Sequence, residues 1–303
     1  MFFQKYLDPK NDYAFKRVFG QEKHKEIPIA FLNAVFHLEG DDYIVDLQFL
    51  DSVQPPEIEA RKESIVDVLV RDQKGSKYII EMQVAKVQGF EKRAQFYAAK
   101  AYCSHFNAGG KYEDLKRVVF LAITDYEVFP EKEDYKSEHV ILDTKTLEHD
   151  LKDFSFTFVE LPKFKKLISE LESIEDKWYY YLKHSIENRE IVPALASVPE
   201  IVQAYHILET GQWTEAELRY YEKIAKASAD AVAVMDAAIS DAKAQGLAKG
   251  QAEGQADIIR QLLNTFDVSQ IALMTNMDIS EIENLRDANS YCVPSNREVQ
   301  QTD

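Results

Sequence analysis

Cysteine is scarce: only Cys103 and Cys292 occur in 303 residues, far apart and with no His or Cys neighbour at metal-ligand spacing. That excludes a disulfide framework and a zinc module, and it fits a reducing, cytoplasmic compartment. Long apolar runs are missing too. No stretch approaches the roughly 18 apolar residues a membrane span requires, and the opening MFFQKYLDPKND has no apolar run ending in small residues, so neither a membrane-embedded nor a secreted chain is expected. Positive charge is in deficit. Lys and Arg number 36 against 52 Asp and Glu, a net charge of -16, which argues against coating nucleic acid by bulk charge. Any phosphate-binding surface must be local.

What is present suffices for a real core: 46% of the 303 residues are hydrophobic and 12% aromatic, the length of one large domain or two. After Pro9, Asn11 and Asp12 offer N-cap chemistry for a helix over 13–19 that Gly20 breaks, and a second helix with a broad apolar face is expected over 24–37. Three strand-like runs follow at 43–50, 64–71 and 77–85, the last two flanking the turn Asp72-Gln73-Lys74-Gly75-Ser76. A helix over 90–106 leads to a continuously apolar strand at 117–124, as in a sheet covered on both faces, with further strands at 139–142 and 154–161. This order reads as an α/β domain over 1–162. Strand signals then vanish. An all-helical C-terminal region is expected over 163–289, with helices near 163–188, 198–209 and 214–262 and two short ones, then a flexible polar tail at 290–303.

One strand carries an anomaly. Asp67, in Ile65-Val66-Asp67-Val68-Leu69-Val70, places a carboxylate among apolar neighbours, which is costly unless the charge is paired, hydrogen-bonded or bound to a cation. The next strand repeats it: Glu81 and Gln83 stand two residues apart in Ile79-Ile80-Glu81-Met82-Gln83-Val84 and so share one face. A hairpin centred near Lys74 sets Asp67 and Glu81 directly across from each other, with Cβ atoms about 5 Å apart. Two carboxylates so placed repel. A hard divalent cation such as Mg²⁺ removes the repulsion and takes oxygen ligands, so the pair, completed by the backbone carbonyl of Met82 and water, has the makings of a metal site. Structural ion pairs with Lys62, Lys77 or Arg93 are the alternative reading of the same residues.

Three blocks, LDPKNDYAFKRVFG at 7–20, SIVDVLVRDQKGSKYIIEMQ at 64–83 and KRAQFYAAKAYCSHFNAGGKYEDLKRVVFLAI at 92–123, follow one another through nearly the whole α/β domain. They resemble the Rpn group of recombination-promoting nucleases and transposases, within the PD-(D/E)XK nuclease superfamily. The stretch 200–290 resembles that group's C-terminal helices. The resemblance implies a restriction-endonuclease-like core ordered αβββαβ and an endonuclease that hydrolyses DNA phosphodiesters with Mg²⁺ or Mn²⁺. It puts Asp67 on the superfamily's metal-binding Asp and Glu81 on its second acid. Gln83 falls where the superfamily has Lys; a glutamine can hold a water or phosphate oxygen but offers no cation, a part left to a neighbour such as Lys62 or Lys86. Asp12 would orient the metal's waters, while Lys16, Lys62 and Arg93 would meet DNA phosphates. Asp12 as an N-cap and Lys16 as a solvated lysine are the alternatives. Arg93, Gln95 and Tyr97 resemble the group's RxQxY pattern, and Arg93 and Tyr97 share a helix face at i and i+4. The contrasting expectation is a catalytically weak or inactive relative that serves as a DNA-binding or protein-interaction module.

Charge is distributed in keeping with a DNA partner: residues 61–117 hold 12 Lys and Arg against 7 Asp and Glu. In the helical half, Ala238, Ala242, Gly246, Gly250 and Gly254 form a row of small residues at four-residue spacing, beside a second row through Ala244, Ala248, Ala252 and Ala256. Such rows let helices approach closely, and a homodimer is expected from them. Residues 268–285 have the rhythm of a helix-turn-helix, but Asp278, Glu281, Glu283 and Asp287 against Arg286 make a poor DNA reader, so a structural hairpin is preferred.

Overall fold

The computed structural model describes residues 4–51, 53–54, 64–104, 111–275 and 277–290. The chain enters through a capped helix, α1 (Asp12–Phe19): the Asn11 side chain accepts hydrogen bonds from the N–H groups of Tyr13 and Ala14, satisfying two of the helix's orphan donors. Ala14, Phe15, Val18 and Phe19 are buried, which leaves Asp12 and Lys16 on another side of the helix. Helix α2 (Glu26–Val35) follows, then strands β1 (Leu47–Phe49), β2 (Val53–Gln54), β3 (Ser64–Ile65), β4 (Val68–Asp72) and β5 (Lys77–Gln83). Helix α3 (Phe90–Cys103) leads to β6 (Val118–Thr124), β7 (Lys136–Val140) and β8 (Phe154–Glu160). The remainder is helical: α4 (Ile174–His184), α5 (Pro193–Ala196), α6 (Pro199–Ile207), α7 (Glu215–Leu262), α8 (Val268–Thr275) and α9 (Ile279–Ser290).

Six strands form one mixed sheet in the order β1-β4-β5-β6-β8-β7, with β5, β6 and β8 parallel and the outer pairs antiparallel. The β4–β5 hairpin turns where the sequence indicates. The Asp72 carboxylate accepts from the N–H groups of Lys74 and Ser76, and Gly75 takes a left-handed φ of 90°. The run 64–71 is two strands rather than one, because β3 pairs with β2 and the chain bends at Asp67 before β4 begins. The bend resets the alternation: Val66 joins Leu69 and Ile79 in the cluster on one face, while Val68 and Val70 pack on the other.

Helices cover both faces. On one, α1, α2, α4 and α6 bury Phe15, Phe19, Phe31, Trp178 and Tyr205 against Val70, Ile80 and Leu121. On the other, α3 lays Phe90, Ala94, Ala98 and Ala101 over Leu69, Ile79, Phe120 and Ala122. The alanines let this helix lie close to the sheet. Its C-terminal end is held by the Lys77 ammonium, which donates to the Ala101 and Ser104 carbonyls and to Ser104 Oγ at 2.5–3.1 Å. Lys77 is thereby occupied and pairs with neither Asp67 nor Glu81.

The chain divides into two compact units, 1–232 and 233–303. Residue 162 marks the end of the sheet rather than of the packing unit, since α4 and α6 belong to the first unit's core. The single helix read over 163–188 is broken: α4 starts only at Ile174, where Ser173 and Asp176 form a reciprocal capping box. In the second unit, Ile259, Ile271 and Ile282 close a small core of α7, α8 and α9. A Cβ added at Gly246, Gly250 or Gly254 meets nothing within 4 Å, and the homodimer expected from that row has no support here. Among the described residues no helix is long and apolar enough to cross a membrane. Lys62 and the tail from 291 lie outside the described residues.

The close approach of α3 to the sheet is testable. Ala98→Leu inserts volume at a position with no exposure and is expected to cost about 1–3 kcal/mol, read as a lower calorimetric Tm. Ala99→Leu, on the exposed side of the same helix, is expected to leave Tm unchanged.

Candidate active site

Two elements hold the acids and two helices bring the cations. Val68 faces Ile80 in the β4–β5 register, so Asp67, one step before the strand, stands opposite Glu81 as the hairpin centred on Lys74 requires. The contact is direct. The Asp67 N–H donates to Glu81 Oε2 at 3.2 Å, and the Met82 N–H donates to Asp67 Oδ2 at 2.8 Å. These bonds explain the bend, because the Asp67 N–H serves a carboxylate instead of continuing the ladder. Met82 meets Asp67 through its N–H. Glu81 and Gln83 share the face that α3 covers, and Ala122 beside Glu81 in the β5–β6 register adds little bulk there.

Asp67 and Glu81 have side chains only 11% and 8% exposed. Burial, and then the neighbouring Asp67 charge, pushes Glu81 up to about 8, with Arg93 opposing. Burial also pushes Asp67 up to about 6, with Lys16 opposing and Asp12 adding. The pair is thus poised to shed charge or to accept a cation.

Lys16, on α1, lies 2.7 Å from Asp12 Oδ1 and 3.2 Å from Asp67 Oδ1. Burial works against its charge, but the two aspartates outweigh it and hold its pKa above the usual lysine value. Lys16 therefore bridges two acids rather than standing open to a phosphate. Arg93, on α3, donates through Nη2 to Glu81 Oε1 at 3.4 Å and, in a short contact, to Gln83 Oε1. Its guanidinium lies 4.9 Å from the Phe90 ring centre and 5.8 Å from that of Tyr97, and its buried Nε has no hydrogen-bond partner among the described residues. Tyr97 has its pKa raised by burial, with Arg93 opposing and Glu81 and Asp67 adding. Lys86 points away and donates to the Glu127 carbonyl. Asp67, Glu81, Gln83, Met82, Asp12, Lys16 and Arg93 are thus brought together. The link from Arg93 to Gln83 escaped the sequence reading, although the RxQxY pattern had marked the arginine.

The donor set suits a hard divalent cation. Once all three are ionised, Asp12, Asp67 and Glu81 outnumber the cations Lys16 and Arg93, an excess that a divalent ion would answer and that protonation of Glu81 otherwise relieves, and the Lys16 ammonium bridging Asp12 and Asp67 stands where a cation is welcome. Among the described residues no group of three His, Cys, Asp or Glu side chains forms a metal cage. Mg²⁺ does not need one, since it binds through one or two carboxylates and keeps several waters or substrate phosphates.

A carboxyl whose folded-state pKa lies above its unfolded value binds protons more tightly when folded. Its share of stability is therefore full below its ordinary value of 4.5 and is lost as pH rises through about 8. Glu81→Gln stays neutral throughout. In EDTA, urea midpoints are expected to show the native protein falling behind Glu81→Gln, by on the order of a few kcal/mol, between about pH 5 and about pH 9. A difference that stays constant with pH would refute the assignment.

A family model described as PD-(D/E)XK nuclease family transposase matches residues 9–238. No curated protein and no solved structure matches the chain.

Proposed function

Because the chain belongs to the PD-(D/E)XK nuclease family of transposases, we propose that it is a divalent-metal-dependent DNA endonuclease of the recombination-promoting, transposase-related kind, acting in the cytoplasm. Family membership makes it a nuclease-related protein that acts on nucleic acid; the metal, the endonucleolytic mode and the residue roles are our reading. The observation that carries it is the convergence of Asp67 and Glu81, largely shielded from solvent and both raised in pKa, beside the Arg93 guanidinium.

Asp67 and Glu81 would hold Mg²⁺ or Mn²⁺, with the Met82 carbonyl as a further oxygen. The chemistry such an ion supplies there is Lewis-acid polarisation of a phosphate and activation of water. The chain's own groups do the rest. Arg93 is donor-only, so its bond fixes the Gln83 amide with Oε1 toward the guanidinium and leaves the Gln83 NH₂ to donate to a phosphate oxygen. The Arg93 guanidinium supplies the positive charge that Gln83 lacks, so the cation expected on the strand comes from α3 instead. Asp12 and Lys16 close the other side. Lys16 neutralises Asp67 until a stronger cation takes that place, and Asp12 accepts hydrogen bonds from water near the acids.

A second reading has one observation in its favour. Lys16 and Arg93 already compensate much of the acids' charge, as in a relative that binds DNA without cleaving it.

Plasmid incubated with the full chain in Mg²⁺ or Mn²⁺ is expected to be nicked or linearised, and EDTA to stop it. Asp67→Ala and Glu81→Ala are expected to abolish cleavage, and Arg93→Ala to slow it about 10²–10³-fold. Mn²⁺ is expected to raise the Tm of the native chain but not that of Asp67→Ala. Cleavage surviving in EDTA or in both acid variants rejects the metal mechanism. Salt-sensitive DNA binding with no cleavage favours the second reading.

A further inference from the structure

The outward side of α3 carries a feature that cleavage chemistry does not use. Phe90, Ala94, Ala98 and Ala101 face the sheet; Arg93 and Tyr97 flank that face, with Tyr97 half-buried against the same cluster, and Phe96 points outward. Phe96 is 55% exposed, an unusual place for a phenylalanine, and its ring centre is 6.2 Å from that of Tyr97. The Arg93 guanidinium lies over the Tyr97 ring on one side and reaches Glu81 and Gln83 on the other. One helix face therefore runs from the acids, through a cation, onto two aromatic rings, a rise of about 6 Å from Arg93 to Tyr97.

We propose that Phe96 and Tyr97 form a stacking platform for an unpaired base next to the phosphate held by Arg93, which makes the preferred substrate a single-stranded or locally unpaired DNA. The inference rests on the reading of Asp67 and Glu81 as the cleavage centre. Inside a duplex every base face is covered by its neighbours, so a ring on a convex helix surface finds a π-face only on a base that has left the stack. Charge selects nucleic acid as the occupant: α3 carries Lys92, Arg93 and Lys100 against Glu91 alone, in a chain of net charge -16. Stacking tolerates any base, so this surface confers a preference for strand state and none for sequence.

The test uses the full chain in EDTA, a short single-stranded oligonucleotide containing 2-aminopurine, and its blunt duplex. The native chain is expected to bind the single strand and quench its fluorescence. Phe96→Ala is expected to lose the quench and about 5- to 100-fold of single-strand affinity, with duplex affinity unchanged and the circular dichroism of the native fold. Phe96→Trp is expected to restore both. A folded Phe96→Ala that keeps the quench, or that weakens single strand and duplex alike, overturns the proposal, whatever the cleavage assay shows. An intact Phe96-dependent quench in a chain that cleaves no DNA with Mg²⁺ would instead overturn the reading of the acids and leave the platform supported.

Discussion

Two carboxylates held against one another on a buried sheet face are the constraint around which this molecule is arranged. Asp67 and Glu81 are locked by reciprocal use of main chain, one N–H on each strand serving the other residue's carboxylate. Such a pair is unfavourable by itself: burial strips water from both groups and proximity adds repulsion, as their raised pKa values record. The surrounding structure offsets that cost without removing it. Strand β4 yields its regular start to a bend at Asp67, α1 contributes Lys16, and α3 lies near enough to the sheet for Arg93 to reach Glu81.

The compensation is incomplete, and its incompleteness is what gives the site chemical potential. Were the acids fully matched by cations, the cluster would be an inert structural network. Here the cations come from helices and stay partly exposed, with Lys16 at 34% and Arg93 at 28% side-chain exposure, which in the proposed reading lets Arg93 meet a substrate phosphate and Lys16 yield to a metal ion. The aromatic side of α3 continues this logic outward, because the helix that brings the cation also presents Phe96 and Tyr97.

Much of the fold was legible because its signals are local. Asn11 caps α1 through bonds two and three residues away, Asp72 and Gly75 close the hairpin within five residues, and the apolar run of β6 needs nothing beyond its own composition. Legibility failed where packing overrides local preference. The stretch after Glu160 is rich in helix formers, yet Ser173 and Asp176 cap a helix that starts only at Ile174, and α4 then packs on the sheet to extend the first unit far beyond its last strand. The continuous apolar run around Asp67 likewise concealed a break, because a side chain on another strand captures its N–H.

From the sequence alone came the meeting of Asp67 and Glu81. Side chains alternate with a period of two, and a hairpin turn fixes which residues stand opposite, so counting outward from Lys74 suffices. The tertiary structure alone decided which cations answer those acids. Lys16 and Arg93 reach them from helices on opposite faces of the sheet, while Lys77, much nearer to Glu81 along the chain, is turned away to cap α3. The physical reason is that charge pairing depends on distance in space, and the placement of a helix on a sheet follows from buried Phe and Ala side chains that carry no charge themselves.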